Sequence, residues 1–415
     1  MPHGAPFSSP DGASVKTSIW TPDFVKLTAM TTLLRICTQI QITSMPLFFH
    51  HLGGSHALAG LSMTFFTLSA LMTRPIVGVA LDTYGRRSIL LGGTAVYMVS
   101  TFLYGFVTFI PILILLRILH GISFSASSTA SSTMASDILP EHRMTEGLSY
   151  FGLFGTLAVA VAPTAALTLL EAFGYSVLYG LTGIVSLIAF LIGLGIRSGK
   201  GGLRGCKKKA SDKFAPGGGM PGEGAIRPRR AILEPRSIPP SVVVLFVSLS
   251  ASAVSVFLPT FAIHRNIDHI GLFFVVQAAA LALSRLFIGP WSARTSPRRI
   301  VAINLVAQSI ALAGIGFSHS LWELLGWAVL FGFANGCLIP QLNAIAVTNA
   351  GQANRGKANA TFYVALDFGI GVGAACWGLV LDGMEAEWIF ILAAILPAIA
   401  LLTPGVSATA RPGRS

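Results

Sequence analysis

Charged residues are scarce in this chain of 415 residues. Asp, Glu, Lys and Arg together make up 11% of it, whereas a typical soluble domain contains about 25%. Hydrophobic residues make up 53%, and the mean hydropathy is +0.72. This balance excludes an ordinary soluble protein and indicates a chain that lies largely within a membrane.

Acidic residues are scarcer than basic ones, 16 against 28, which gives a net charge of +12. A strongly basic chain often binds nucleic acid. Here the Lys and Arg residues fall mostly between apolar segments, the pattern that sets the orientation of membrane helices. We therefore expect the lipid bilayer as a partner and no nucleic acid.

Several kinds of functional motif are missing. The four cysteines lie far apart and show neither metal-ligand spacing nor a disulfide framework. There is no phosphate-binding loop and no Gly-x-Ser-x-Gly nucleophile motif. The start of the chain lacks the basic-then-apolar pattern of a cleaved leader. We expect no metal, no cofactor, no direct use of ATP and no enzymatic activity.

Twelve apolar segments are long enough to cross a membrane as helices, which need about 20 residues each. Six lie in residues 23–197 and six in 238–405. Residues 198–237 are rich in Gly, Pro and basic side chains and predict a linker. Residues 1–22 and 406–415 are polar tails. The predicted fold is all-α, with two six-helix bundles.

The most specific motif lies between the second and third segments, where Thr73 to Arg87 reads TRPIVGVALDTYGRR. Gly78 should admit a neighbouring helix closely, Asp82 stands at a helix end, and Gly85 allows a tight turn. Arg86 and Arg87 favour the cytoplasmic side. A short basic turn of no special function is the alternative. The full pattern resembles the signature loop of the major facilitator superfamily.

The two halves also repeat each other. Thr73-Arg74 before Gly78 matches Ser284-Arg285 before Gly289, and Arg143 matches Arg355. Asp82 has no acidic counterpart. Two parallel halves are what the resemblance implies. Arg265 is the one Lys or Arg residue expected in a loop on the side of the membrane opposite Arg86. Both termini and the linker are therefore predicted to be cytoplasmic. The chain is expected in the inner (plasma) membrane.

Arg117 and His120 lie in the fourth segment, in a run that resembles the fourth-helix motif of drug–proton antiporters. An arginine in mid-membrane costs several kcal/mol unless it is paired or hydrated. Arg117 is either a charge in a cavity that couples protonation to movement or a structural residue bonded to backbone carbonyls. His120 can titrate near neutral pH, although packing is the more common role of a lone histidine.

Arg143 and Glu146 follow the fourth segment and predict either a gate of charge pairs or ordinary helix capping. Within the fifth segment, the run YFGLFGTLAVAVAP ends at Ala162-Pro163, where the antiporter motif has Gly-Pro and further glycines. This departure weakens the case for export. The runs LPEHRMTEGLSYFGLF and ANATF resemble bacterial drug exporters, including sugar-efflux and opine-metallophore exporters.

Asp367 is the one acid placed deep within a segment, about a dozen residues into the eleventh. It is either a proton carrier or half of a fixed ion pair with a buried arginine. Arg35 or Arg117 are the partners expected from the sequence. Arg35, Gln39 and Thr43 share one face of the first helix.

In the resembled family, helices 1, 4, 7 and 10 line the central cavity. The resemblance thus implies polar lining residues in this chain: Gln39, Ser123, Asn335, Gln341 and Asn343. Together with Arg35 and Arg117 they would form a net positive cavity, which suits an anionic or zwitterionic solute.

Three functions are compatible with the sequence. The first is a monomeric secondary transporter that exports a small molecule in exchange for protons by alternating access. The second is proton-coupled uptake, and the third is a sensor or scaffold that does not transport, which the basic linker favours. Replacing Asp82, Arg117 and Asp367 together should abolish either transport function and leave only a sensor or scaffold function intact.

Overall fold

The computed structural model describes residues 19–140, 143–196, 234–351 and 354–403. Nearly all of the predicted N-terminal tail, almost the whole linker 198–237 and the C-terminal tail 406–415 lie outside the described residues. The described chain is helical in both halves, as predicted.

The first half contains six helices. Its last two form one helical segment, Met144–Leu194, which turns at Gly174, where φ is 76°. Only glycine adopts this backbone conformation readily, and the predicted boundary between segments five and six falls at this residue. The helices are α1 (Pro22–His51), α2 (His56–Tyr84), α3 (Arg86–Leu103), α4 (Ile110–Ile138), α5 (144–173) and α6 (175–194).

The second half repeats this order. Its first helix contains a π-helical turn, Ala253–Phe257, followed by Pro259, which has no N–H to continue the regular hydrogen bonding. The helices are α7 (Pro235–His264), α8 (Gly271–Arg294), α9 (Pro297–Phe317), α10 (Leu321–Ala350), α11 (Arg355–Gly383) and α12 (Glu387–Leu401).

Length and composition alone identify eight membrane-spanning helices among the described residues. One of these spans, Val161–Leu194, runs through the turn at Gly174 and includes parts of both α5 and α6. Three helices are missed: α1, whose apolar run is interrupted by Arg35, Gln39 and Gln41, α3, whose 18 residues begin with Arg86 and Arg87, and α12, which is only 15 residues long. The remaining predicted spans are therefore helical but more polar or shorter than the criterion requires.

The halves meet chiefly along two pairs of helices, α2 with α11 and α5 with α8, and α1 also contacts the far-face part of α7. We call the end of the bundle that carries the turn Gly85–Arg87 the motif face. The opposite end, which carries residues 52–55 and 265–270, is the far face. Because α2 runs from the far face to the motif face and α11 runs back, contacts along this pair can be placed by depth.

Candidate transport site

An ion pair joins the two halves at the centre of the bundle. Nη1 of Arg74 on α2 lies 2.6 Å from Oδ2 of Asp367 on α11, and the two side chains are 33% and 24% exposed. The short distance and the charges make this a strong interaction, and the residual exposure leaves the carboxylate accessible to protons. Asp367 thus pairs with Arg74, and neither Arg35 nor Arg117, the partners expected from the sequence, forms this ion pair.

Arg35 of α1 lies beside this pair and interacts electrostatically with both Arg74 and Asp367. Its side chain is exposed and passes Gly155 of α5, where an added Cβ would lie 3.1 Å from Cδ of Arg35. Tyr363, one turn before Asp367 on α11, completes the group. We call Arg35, Arg74 and Asp367 the central cluster. It draws on α1, α2 and α11, and Arg35 also contacts α5.

The hydrogen bonds that the described residues form between the halves all lie on the far-face side of this cluster. The Thr64 hydroxyl donates to the Gly371 carbonyl at 2.6 Å. Thr164 of α5 donates likewise to Gly271 of α8 at 2.7 Å. Arg74–Asp367 is the innermost contact of the series, so the described conformation is closed on the far face.

Glycines allow the helices to approach closely on that side. A Cβ added to Gly60 would lie 2.1 Å from the Ala374 carbonyl oxygen. At the far-face end of α2, the Asp382 carboxylate accepts hydrogen bonds from the backbone N–H of His56 at 2.7 Å and of Ala57 at 3.0 Å. A carboxylate from the second half therefore caps a helix N-terminus of the first.

The signature turn forms as the sequence predicts at Gly85, whose φ is 86°. Arg86 pairs with Asp137 at the end of α4, with Nε 2.5 Å from Oδ2. Arg87 donates to the Leu194 carbonyl at 3.0 Å, a cation at the C-terminus of α6. These bonds all lie within the first half and brace its motif face.

Other members of the predicted gate are placed differently. Gly78 was expected to admit a close helix, but it is exposed and no described atom lies within 4 Å of a Cβ added there. Arg143 stands directly before α5. The side chains of Asp82 and Glu146 lie outside the described residues.

Arg117 and His120 are buried in the core of the first half, with exposures of 1% and 0%. Nη2 of Arg117 donates to the Gln41 carbonyl at 3.2 Å, and the guanidinium lies over the rings of Phe66 and Tyr104. Nδ1 of His120 is 3.2 Å from the Tyr104 hydroxyl. This is the arrangement expected of the structural alternative for Arg117.

The predicted cavity residues divide into two groups. Ser123 and Asn335 are buried, and each donates a hydrogen bond to a carbonyl of its own helix, at 2.8 Å and 3.0 Å. They are thus occupied within α4 and α10. Gln39, Gln341 and Asn343 are half-buried. Only Gln39 lies one helical turn from a member of the central cluster.

The sequence reasoning did not identify Arg74 as the partner of Asp367. The signal was present, since Arg74 is an arginine inside a span and is repeated at Arg285. It was read as part of the repeat and not as a partner for Asp367. No group of three or more His, Cys, Asp or Glu residues able to hold a metal occurs in the described ranges.

Comparison with known proteins settles the family. Residues 27–269 and 240–414 match the sequence model of the Major Facilitator Superfamily. The chain belongs to this superfamily. It is therefore a multi-pass membrane protein of a family of secondary transporters of small molecules, and not an enzyme.

Curated relatives in the superfamily include exporters. The staphylopine export protein of Staphylococcus aureus strain Mu50 is 22% identical over 384 residues, which cover 91% of this chain and 94% of that protein. The multidrug resistance protein MdtG of Salmonella typhi is 22% identical over 75% of this chain and 77% of its own. These relatives support the drug-efflux-like branch.

Solved structures share the fold at low sequence identity. The crystal structure of the nucleoside transporter NupG gives a TM-score of 0.73 at 12% identity and covers 94% of this chain and 100% of its own. A POT family transporter in complex with 5-aminolevulinic acid gives 0.72 at 14% identity, with 91% and 94% covered. They establish the architecture of twelve helices in two bundles.

Proposed function

We propose that this protein is a proton-coupled exporter of a small solute that works by alternating access as a monomer. The observation that carries this proposal is the ion pair Arg74–Asp367, since it joins the two halves at the depth where the far-face contacts end. A proton on Asp367 removes the charge that holds Arg74. The halves are then free to separate on the far face.

Each step uses a group already described. With Asp367 ionised, the pair holds the far face closed and the site is reached from the motif face. As the solute leaves, Asp367 takes a proton from the far face, which weakens the pair and favours the far-open state, and release of this proton to the motif face re-forms the pair, so that proton and solute cross in opposite directions. Arg86, Arg87 and Asp137 keep the motif face of the first half rigid during this movement.

The direction of transport rests on two supports. The positive residues of the signature turn support a cytoplasmic motif face, and with it cytoplasmic termini and a described conformation that accepts solute from the cytoplasm. Named relatives include an export protein and a multidrug resistance protein. We place the protein in the plasma membrane and take staphylopine as one solute to test.

Proton-coupled uptake is the second candidate. The departure of α5 from the antiporter motif favours it, since Ala162 precedes Pro163 where that motif has glycine. The same ion pair would serve either direction. The two functions differ in which side must be acidic for the solute to accumulate.

The test uses energised inside-out vesicles that contain the full chain. A panel of small solutes, including staphylopine, is added while the pH gradient is followed in the wild type, Asp367→Asn and Asp268→Asn. Asp268 is an exposed carboxylate of the far-face loop and provides the matched control. We expect a solute to collapse the gradient in the wild type and in Asp268→Asn only. Collapse in Asp367→Asn as well would discard Asp367 as the proton carrier.

A further inference from the structure

The central cluster is one negative charge short of neutrality. Arg35 and Arg74 each contribute a positive charge, and Asp367 contributes one negative charge that Arg74 already engages. No described residue forms a hydrogen bond or an ion pair with the Arg35 side chain. An unbalanced charge in a membrane-embedded site is costly once water leaves it, as it must when the site is closed on both faces.

We propose that Arg35 binds the carboxylate of an organic anion, and that this carboxylate is the missing charge of the central cluster. The inference rests on the proposed transport function and names its substrate class. A single carboxylate brings the site to neutrality while Asp367 stays ionised. A phosphate monoester, with close to two negative charges at neutral pH, would overshoot it.

The surroundings of Arg35 suit this role. The guanidinium presents a planar fork that matches two carboxylate oxygens, and Gly155 leaves room for the side chain to reach the space between the halves. Gln39 lies one turn away on the same face of α1, and Tyr363 lies one turn before Asp367 on α11. Both supply further hydrogen-bond donors beside the anion.

Arg35 and Asp367 should affect the affinity for the anion in opposite directions. Arg35 attracts the carboxylate. Asp367 repels it and holds Arg74 away from it. Removing the charge of Arg35 should therefore weaken anion binding, whereas removing the charge of Asp367 should strengthen it. A residue with a purely structural role would not produce such a pair of effects.

The test is equilibrium binding to the purified full-length protein at fixed ionic strength, without any gradient. The probes are acid–amide pairs of one shape: hippurate with hippuramide, nicotinate with nicotinamide, and glutamate with glutamine. We expect at least one acid to bind the wild type about tenfold or more tightly than its amide, the scale of a charge-assisted hydrogen bond. Phosphate monoesters of similar size form a separate arm, in which tighter binding than any carboxylate overturns the assignment.

Variants decide the assignment. Arg35→Gln should abolish the preference for the acid, and Asp367→Asn should increase it several-fold. Arg299→Gln removes an equal charge from an exposed position at the start of α9 and should leave the preference unchanged. If Arg35→Gln does not fold, Arg35→Lys serves in its place and should retain a reduced preference.

The proposal is overturned if no acid binds better than its amide in the wild type, if Arg35→Gln keeps the preference, or if Asp367→Asn weakens it. Because the assay involves no proton gradient, it stands apart from the transport test. A preserved acid preference with no proton response would contradict the proposed coupling alone. A proton response without an acid preference would contradict only this inference.

Discussion

The two main contacts between the halves, α2 with α11 and α5 with α8, are related by the internal repeat but differ in charge. On the first, Arg74 meets Asp367. On the second, the counterpart of Arg74 is Arg285, while the counterpart of Asp367 is Gly155, because each stands twelve residues after the matched arginines Arg355 and Arg143. No described residue forms an ion pair with Arg285.

This difference assigns distinct roles to the two contacts. A charged contact can be broken by a proton, whereas the α5–α8 contact, held by Thr164 and Gly271, does not change with pH. The α2–α11 contact is therefore the one through which protonation acts, and the α5–α8 contact follows the movement. The absence of a side chain at Gly155 also leaves room for the Arg35 side chain.

Loss of Arg74 should have the largest effect. Arg74→Gln leaves Asp367 without its cation inside the bundle, and breaking such a pair by removing one partner is strongly destabilising. We expect the response of the pH gradient to fall below a tenth of the wild-type response, measured in inside-out vesicles with a solute to which the wild type responds. A wild-type response in Arg74→Gln would contradict the distinct roles assigned to the α2–α11 and α5–α8 contacts.

A substitution that disturbs the close packing between α2 and α11 should have the next largest effect. Gly60→Ala places a Cβ against the Ala374 carbonyl oxygen and should lower the stability of the far-closed conformation by about 1–3 kcal/mol. Thermal unfolding of the purified protein measures this. Gly78→Ala, on the same helix with no close described atom, is the matched control and should not lower stability, because alanine in a helix is favoured over glycine by about 1 kcal/mol. Equal effects would place the tight contact elsewhere.

The Asp382 cap at the far-face end of α2 should contribute less to the stability of the closed far face. Asp382→Asn removes the negative charge that two backbone N–H groups share, a loss of about 0.5–1 kcal/mol for a charge at a helix N-terminus. Thiol labelling of a cysteine introduced at Ala57 should then become a few-fold faster, measured in a background in which Cys206 of the polar linker and the exposed Cys376 are replaced by Ser. Unchanged labelling would show that the cap does not hold the far face closed.

Arg285→Gln should have the smallest effect. Since no described residue pairs with Arg285, its loss should alter the response of the pH gradient by less than about twofold, the range of a surface substitution. The vesicle assay used for Arg74→Gln provides the direct comparison. A loss as large as that of Arg74→Gln would mean that both contacts carry charge coupling.

Much of the fold was predictable because membrane spans depend on local composition. Twelve apolar segments, the break at Gly174 and the positive φ of Gly85 follow from residues close together in the chain. Family membership followed from the signature turn. The more polar α1 was also identified, because its interruptions by Lys26 and Arg35 do not remove the apolar run around them.

Pairing across the bundle was not predictable in the same way. Helical periodicity shows which residues share a face, but not which distant helix that face meets, so Asp367 was matched with Arg35 or Arg117 in place of Arg74. The depth of a polar residue likewise does not show whether it lines a cavity. Ser123 and Asn335 bond to their own helices, which only the packed structure reveals.

The most direct test of the account is the distance between the halves on the far face as a function of pH. Spin labels at Thr108 in the first half and at Asp268 in the second occupy exposed positions on that face. We predict that acidification lengthens this distance in the wild type and in Asp382→Asn, and that Asp367→Asn shows one distribution over the same pH range. An Asp367→Asn protein whose far face still opens on acidification would contradict the claim that the Arg74–Asp367 pair is the proton-sensitive contact.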